Sequence, residues 1–143
     1  MRSPVELTDS FRDRGLRITP QRVAVFEALH ESMGHPTAET IYQTVAADMP
    51  SISLKTVYQT LNDLTDMGEI RRLDLGSTAT RFDPNLEDHH HLVCDCCGVM
   101  IDTYLDASRI ELGELEGFRP TGTSVFVSGL CEACATSTSP ENP

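Results

Sequence analysis

The sequence has 143 residues, of which 39% are hydrophobic, a length that supports one or two small domains and excludes a large multidomain enzyme. No stretch approaches the roughly 18 consecutive apolar residues of a membrane helix, and the N-terminus lacks the apolar core of a signal peptide, so we expect a cytoplasmic protein without a membrane partner. The net charge of −11 argues against a nucleic-acid partner. The charge is uneven, however: residues 1–82 carry nine basic and eleven acidic side chains, whereas residues 83–143 carry two basic and eleven acidic ones. Only the first part of the chain is therefore suited to contact DNA.

Four helices are predicted in the first part of the chain, because apolar residues recur there at every third or fourth position. Their expected ranges are 5–14, 20–31, 38–48 and 54–67. Thr19, Thr37 and Ser53 are suited to cap the last three, and Pro20 stands at a first helical position. Gly68 occupies the place of a C-terminal capping glycine.

Two short strands are predicted next, at residues 70–75 and 80–83, joined by a turn at Gly76-Ser77. Helices followed by a basic hairpin are typical of a winged helix-turn-helix domain, which we place at residues 1–83. The fourth helix would be its recognition helix, although a solvated polar face is the simpler interpretation. The residues expected to reach base edges are Lys55, Thr56, Tyr58 and Gln59. Those expected to contact phosphates are Arg14, Arg17, Arg22, Arg71 and Arg72.

A smaller α/β domain is predicted at residues 89–134, after a hinge at residues 84–88. Its expected elements are strands at residues 91–94, 99–102 and 124–128 and an amphipathic helix at residues 105–116. Residues 135–143 are rich in serine, threonine and proline, which predicts a disordered tail. The fold class is therefore α+β, a winged-helix domain followed by a small α/β domain.

Two Cys-x-x-Cys pairs lie in the second part of the chain. They are Cys94 with Cys97 and Cys131 with Cys134, separated by 33 residues. Each pair can bind one side of a tetrahedral ion, so together they predict a structural Cys₄ zinc site. Two disulfides, buried free thiols or a redox pair are the alternatives, and disulfides are disfavoured in the cytoplasm. Cys96 is left over and is expected to be a bystander.

Three adjacent histidines precede the first cysteine pair. In an extended segment His89 and His91 point to one side and His90 to the other. Two imidazoles suit a divalent transition metal but bind it weakly without further ligands. The further ligands considered are Asp83, Asp102 and His35, each of which also has an ordinary interpretation as a turn, strand-end or loop residue.

Several stretches together resemble the ferric uptake regulator (Fur) family of bacterial metal- and redox-responsive repressors. They are Arg17-Ile18-Thr19-Pro20-Gln21-Arg22, His35-Pro36-Thr37-Ala38-Glu39, Thr56-Val57-Tyr58, Arg81-Phe82-Asp83 and His89-x-His91-Leu92-x-Cys94-x-x-Cys97-Gly98. The resemblance implies a winged-helix DNA-binding domain, a C-terminal dimerisation domain with structural zinc, and a metal site at the hinge.

Within that family the pattern is most similar to the peroxide-sensing PerR branch, whose three histidines and two aspartates correspond here to His35, Asp83, His89, His91 and Asp102. The resemblance implies a homodimeric repressor of an operator in double-stranded DNA, controlled by Fe²⁺ or Mn²⁺. It also implies that peroxide oxidises His35 or His89 and so releases the DNA. An iron- or manganese-responsive repressor without peroxide sensing is the nearest alternative, and a zinc-stabilised thiol redox enzyme is the alternative of another class.

Overall fold

The computed structural model describes residues 1–76, 79–111 and 113–137. The chain forms two compact units, and the first covers Met1–Leu86 while the second begins at Glu87. The boundary lies inside the segment predicted as the hinge, residues 84–88. In the described part of the chain no helix is long and apolar enough to span a membrane.

Four α-helices build the first unit. They are α1 (Pro4–Asp13), α2 (Pro20–Glu31), α3 (Ala38–Asp48) and α4 (Leu54–Asp66). The capping pattern is the one expected, since the side chains of Thr19, Thr37 and Ser53 each accept a hydrogen bond from the backbone N–H three residues later. Gly68 follows α4 with a positive φ of 72°, and the N–H of Glu69 closes the last turn on Leu64.

The hydrophobic core of the first unit lies where these helices meet. On α4, Val57, Thr60, Leu61 and Leu64 are buried at helical spacing, while Tyr58 on the same helix is exposed. Within the described residues, every member of the core cluster belongs to this unit. Burial of this apolar face holds α4 against α2 and α3.

A two-stranded wing follows α4. Strands β1 (Arg71–Leu73) and β2 (Arg81–Asp83) are antiparallel, with Arg72 opposite Phe82; the predicted turn residue Ser77 lies outside the described residues. The loop before α3 adds to this hairpin, because the N–H of Phe82 donates to the carbonyl oxygen of Pro36 at 2.9 Å and Thr37 bridges to Arg81. Only the tertiary structure reveals this pairing.

The second unit is built on a three-stranded sheet in the order β4-β3-β5. Its elements are β3 (His90–Cys94), β4 (Met100–Thr103), a 3₁₀ turn η1 (Ala107–Arg109), β5 (Phe126–Gly129) and the short helix α5 (Glu132–Ser137). Strand β3 is antiparallel to β4 and parallel to β5. Among its described residues, only Cys94 and Met100 are buried hydrophobic residues, so this unit has little apolar core of its own.

Two predictions for the second unit are corrected. The helix expected at residues 105–116 is reduced to the single turn of η1, and Leu112 lies outside the described residues. Positive φ angles at Gly113 (66°) and Glu116 (24°) are incompatible with a continuous α-helix. Leu105 and Ile110 stay 44% and 42% exposed, so these apolar positions of the expected helix are not buried within this chain. Residues 135–137, which are expected to belong to a disordered tail, are helical in α5. The rest of that expected tail, residues 138–143, lies outside the described residues.

A buried carboxylate ties the N-terminus to the end of α4. Arg2 Nε donates to Glu69 Oε1 at 2.8 Å, and this hydrogen bond lowers the pKa of Glu69. Because the pKa of Glu69 is lower in the folded than in the unfolded protein, this ion pair stabilises the fold fully at pH values above the unfolded pKa of about 4.3. The stabilisation is lost as the pH falls through the pKa of Glu69 in the folded protein.

Glu69→Gln is expected to destabilise the first unit by about 1 kcal/mol at neutral pH, a modest value because Arg2 is half-exposed. Urea unfolding followed by circular dichroism between neutral pH and pH ~3 should show the difference shrinking as the pH falls. Asp9→Asn, which breaks the exposed ion pair with Arg12, is the matched control and should change stability by less than about 0.5 kcal/mol. An equal loss at both ends of the pH range would contradict a titrating ion pair.

Candidate metal centres

The four predicted zinc cysteines converge in the second unit. The Sγ atoms of Cys94, Cys97, Cys131 and Cys134 all lie within 4.8 Å of one another, and no disulfide joins them. Cys94 ends β3 and Cys97 lies in the turn that follows, whereas Cys131 follows β5 and Cys134 lies in α5. Parallel pairing places Cys94 beside Gly129, which brings the second pair to the first. Four thiols at this spacing fit one tetrahedral Zn²⁺.

The electrostatics of this cluster also fit a cation. The N–H of Cys131 donates to Cys94 Sγ at 3.3 Å, and this bond, with those from the turn, lowers the pKa of Cys94 to about 6. In the opposite direction, a hydrogen bond with the Cys131 side chain raises the pKa of Cys134. Cys94 is thus readily ionised to a thiolate, which is the form that binds zinc, whereas Cys134 resists ionisation. A second negative charge beside Cys94 becomes favourable when a cation is bound. Cys96 is exposed and lies outside the group of four.

In the first unit the structure brings together His35 and Asp83. The His35 Nε2 and Asp83 Oδ1 atoms are 3.7 Å apart, and both side chains are buried. The hydrogen bond from Phe82 to Pro36 fixes the two segments side by side, and Arg81 Nη1 donates to the carbonyl oxygen of His35 at 3.0 Å. The wing therefore aligns an imidazole with a carboxylate.

In the second unit His89, His91 and Asp102 share one side of the sheet. The rings of His89 and His91 have centroids 4.6 Å apart, and Asp102 lies directly opposite His91 on β4. Phe126 of β5 stacks on His91 at 5.2 Å, a contact that the sequence does not reveal. His90 points elsewhere and accepts a hydrogen bond from the N–H of Val125 at its Nδ1 atom.

The orientation of His89 is fixed by the chain just before it. Its Nδ1 lies 2.8 Å from the carbonyl oxygen of Glu87, and since a carbonyl only accepts, Nδ1 carries the proton. The Nε2 atom then faces Asp102 Oδ1, which is 3.5 Å away. A cation between these two atoms could take both as ligands, and an outer hydrogen bond like the one to Glu87 is typical of metal-binding histidines.

The predicted base-reading residues lie on the exposed side of α4. Lys55, Tyr58 and Gln59 are exposed, and Thr56 is half-buried with its hydroxyl 2.9 Å from that of Ser53. The phenol of Tyr58 donates to Glu39 at the start of α3, a partner that the sequence does not reveal.

The predicted phosphate contacts differ in how far they are engaged within the protein. Arg14 and Arg17 are exposed. Arg22 is half-buried: its Nη2 donates to Asp63 Oδ2 at 2.7 Å and its guanidinium lies 5.3 Å from the ring centre of Phe11. This ion pair gives Arg22 a structural role in joining α2 to α4.

On the wing, Arg71 Nη2 donates to the carbonyl oxygen of Leu86, and Arg72 Nη2 lies 3.8 Å from Asp74 Oδ2. For all nine residues expected to contact bases or phosphates, the contact with DNA stays a prediction.

Comparisons with known proteins agree with this arrangement. The model of the ferric uptake regulator family matches residues 13–121. The chain is 38% identical over 128 residues to the peroxide-responsive repressor PerR of Staphylococcus aureus, an alignment that covers 87% of this chain and 86% of that protein.

Solved structures agree in fold. The ferric uptake regulator Fur of Helicobacter pylori, described as having three functional metal-binding sites, aligns with a TM-score of 0.80 and 25% identity over 96% of this chain and 95% of its own. A zinc-bound manganese uptake regulator aligns with a TM-score of 0.71 and 28% identity over 91% of this chain and 99% of its own. PerR from Streptococcus pyogenes, described in connection with peroxide sensing and gene regulation, aligns with a TM-score of 0.54 and 27% identity over 94% of each chain.

Proposed function

The chain belongs to the ferric uptake regulator family, and on that premise we propose that it is a transcriptional repressor that binds DNA when loaded with metal and senses peroxide through Fe²⁺. Members of this family are transcriptional regulators, so the zinc-stabilised thiol redox enzyme considered above is set aside. The Cys₄ cluster holds the structural zinc, and the histidines and aspartates supply the regulatory site.

In this proposal one regulatory ion takes ligands from both units: His35 and Asp83 from the first, and His89, His91 and Asp102 from the second. The observation that carries it is the orientation of His89, whose Nδ1 is bonded to the carbonyl oxygen of Glu87 and whose Nε2 faces the carboxylate of Asp102. Nitrogen and oxygen donors without a thiolate suit Fe²⁺ or Mn²⁺. An ion shared in this way would fix the orientation of the DNA-binding unit, so its preference for the closed arrangement supplies the switching free energy.

The protein's part in peroxide sensing is to hold the two imidazoles that are oxidised, those of His35 and His89, against the ion. When bound, Fe²⁺ would supply the redox chemistry that breaks the O–O bond of hydrogen peroxide beside these ligands. One oxygen atom would be inserted into a ring C–H bond of His35 or His89 and the other would leave as water, so that the ring provides both electrons and the iron undergoes no net change of oxidation state. The oxidised ring is a poorer ligand, so the ion and then the DNA are released.

Dimerisation is supported by an apolar row on the sheet of the second unit. Leu92 lies opposite Ile101 on β4 and Val127 on β5, and the three are 40%, 48% and 43% exposed. A contiguous apolar surface of this kind marks an interaction site. We propose that a second copy covers it, which would present two recognition helices to the half-sites of an operator.

Peroxide treatment of the protein loaded with Fe²⁺ or with Mn²⁺ tests this function. A duplex selected from a random-sequence library with the Mn²⁺-loaded protein serves as the probe. Peroxide is expected to abolish DNA binding by the Fe²⁺ form and to spare the Mn²⁺ form, with a mass increase of about 16 Da, one oxygen atom, on a peptide that contains His35 or His89.

Oxidation confined to Cys96, or equal sensitivity of both metal forms, would contradict histidine-based sensing. Metal-dependent DNA binding that peroxide leaves intact in both forms would instead favour an iron- or manganese-responsive repressor. Structural similarity to a manganese uptake regulator and to Fur keeps that second function in consideration.

A further inference from the structure

Tyr58 is held from the side by a carboxylate of the neighbouring helix. Its hydroxyl donates to Glu39 Oε1 at 2.8 Å, across the exposed surface between α4 and α3. Glu39 stands in the first turn of α3, directly after the capping residue Thr37 and Ala38. The contact joins the two helices of the helix-turn-helix at the surface that carries the predicted base-reading residues.

This hydrogen bond determines what the phenol can still do. The bond lowers the pKa of Glu39 and raises that of Tyr58, so near neutral pH the partners are a carboxylate and a neutral phenol. A phenol has one proton to donate in a hydrogen bond, and here that proton is engaged by the carboxylate of Glu39. DNA phosphates only accept hydrogen bonds, and they are repelled by the carboxylate beside the ring. The geometry therefore directs Tyr58 away from the phosphate backbone.

We propose that Glu39 is a positioning residue that fixes the Tyr58 ring for reading a base edge and excludes it from phosphate contact. The inference rests on the proposed DNA-binding function and deepens it. With its hydroxyl held, the ring presents its apolar edge to the major groove, where the C5-methyl group of thymine is the matching surface. Glu39 touches no base itself and acts through Tyr58.

The proposal predicts opposite effects on affinity and on discrimination. A carboxylate at the DNA-facing surface weakens binding to every sequence, so its removal should strengthen binding to random DNA. Removal of the hydrogen-bond acceptor frees the ring, so discrimination for thymine should fall. A residue that only stabilises the fold would not move these two quantities in opposite directions.

Three variants of the full-length, Mn²⁺-loaded protein separate these effects. The probes are the duplex selected with the wild-type protein, the same duplex with each thymine replaced in turn by uracil, and a random duplex. Glu39→Ala is expected to bind random DNA about threefold more tightly and to lose about fivefold of its discrimination at one thymine position. Glu39→Gln, which keeps an oxygen acceptor but no charge, should show the first effect and retain the discrimination. Tyr58→Phe should lose discrimination as Glu39→Ala does, without the gain on random DNA.

Glu39 is on the surface, and thermal unfolding of each variant checks that the fold is kept. Unchanged thymine discrimination in Glu39→Ala, while the wild-type protein binds its selected duplex, would overturn this inference and leave the proposed function standing. Equal losses of thymine discrimination in Glu39→Gln and Glu39→Ala would assign the effect to the charge of Glu39 alone and would also overturn the inference. Failure of the metal-loaded wild-type protein to enrich any duplex would overturn both the inference and the proposed function.

Discussion

Replacement of Cys97 by serine is expected to abolish zinc binding and to unfold the second unit while the first unit stays folded. The reason is the unequal distribution of the apolar core. The core cluster lies within the first unit, whereas the described part of the second unit buries only Cys94 and Met100 among its hydrophobic residues. A structural zinc contributes on the order of 10–16 kcal/mol in small zinc-dependent folds. The metal therefore takes the place of an apolar core in holding β3 and β5 together.

Cys96→Ser is the matched control, since Cys96 is exposed, adjacent to Cys97 and outside the group of four. Elemental analysis should find one zinc per chain in the wild-type protein and in Cys96→Ser, and none in Cys97→Ser. Hydrogen exchange should show lost protection in β3 to β5 and preserved protection in α1 to α4. Protected strands in a zinc-free Cys97→Ser protein would show that the sheet is stable without the ion.

His35→Ala is expected to uncouple DNA binding from the regulatory metal. His35 is the imidazole that the first unit contributes to the proposed site, and its loss leaves the shared ion with a single ligand from that unit. We expect Mn²⁺ affinity to fall by about 100-fold, equivalent to about 3 kcal/mol, and binding of the selected duplex to lose its dependence on Mn²⁺. Competition with a metal-sensitive dye and fluorescence anisotropy of the duplex measure the two quantities.

His30→Ala is the control for this change, because His30 lies on the exposed side of α2 and outside the proposed ligand set. Both variants should retain the structural zinc, which reports that the second unit is intact. If His35→Ala kept wild-type Mn²⁺ affinity and metal-dependent DNA binding, the second unit alone would hold the ion. The bound ion would then have no ligand in the DNA-binding unit through which to control DNA binding.

The local elements of this protein were readable from its sequence. The last three of the four helices begin where Thr19, Thr37 and Ser53 offer capping oxygens, and the buried faces follow the apolar spacing. The alternation of His89 and His91 predicts the shared side on which their rings meet. Each of these signals acts over a few residues, where steric and hydrogen-bonding preferences of the chain dominate.

The error at residues 105–116 shows the limit of such signals. The apolar spacing there resembles that of the four correct helices, but positive φ angles and exposed Leu105 and Ile110 accompany a single 3₁₀ turn. A helix of this length in water depends on burying its apolar face. Whether a partner surface exists is a property of the whole fold and not of the segment.

The sequence by itself predicted the donors: two cysteine pairs whose spacing suits zinc, and three histidines and two aspartates that the resemblance to the family implies. The tertiary structure decided which of them meet within each unit. Asp83 reaches His35 because β2 pairs with the loop before α3, and the cysteine pairs converge because β5 runs parallel to β3. Partners 48 and 37 positions apart are brought together by backbone pairing between distant segments of the chain, and local propensity contains no information about that pairing.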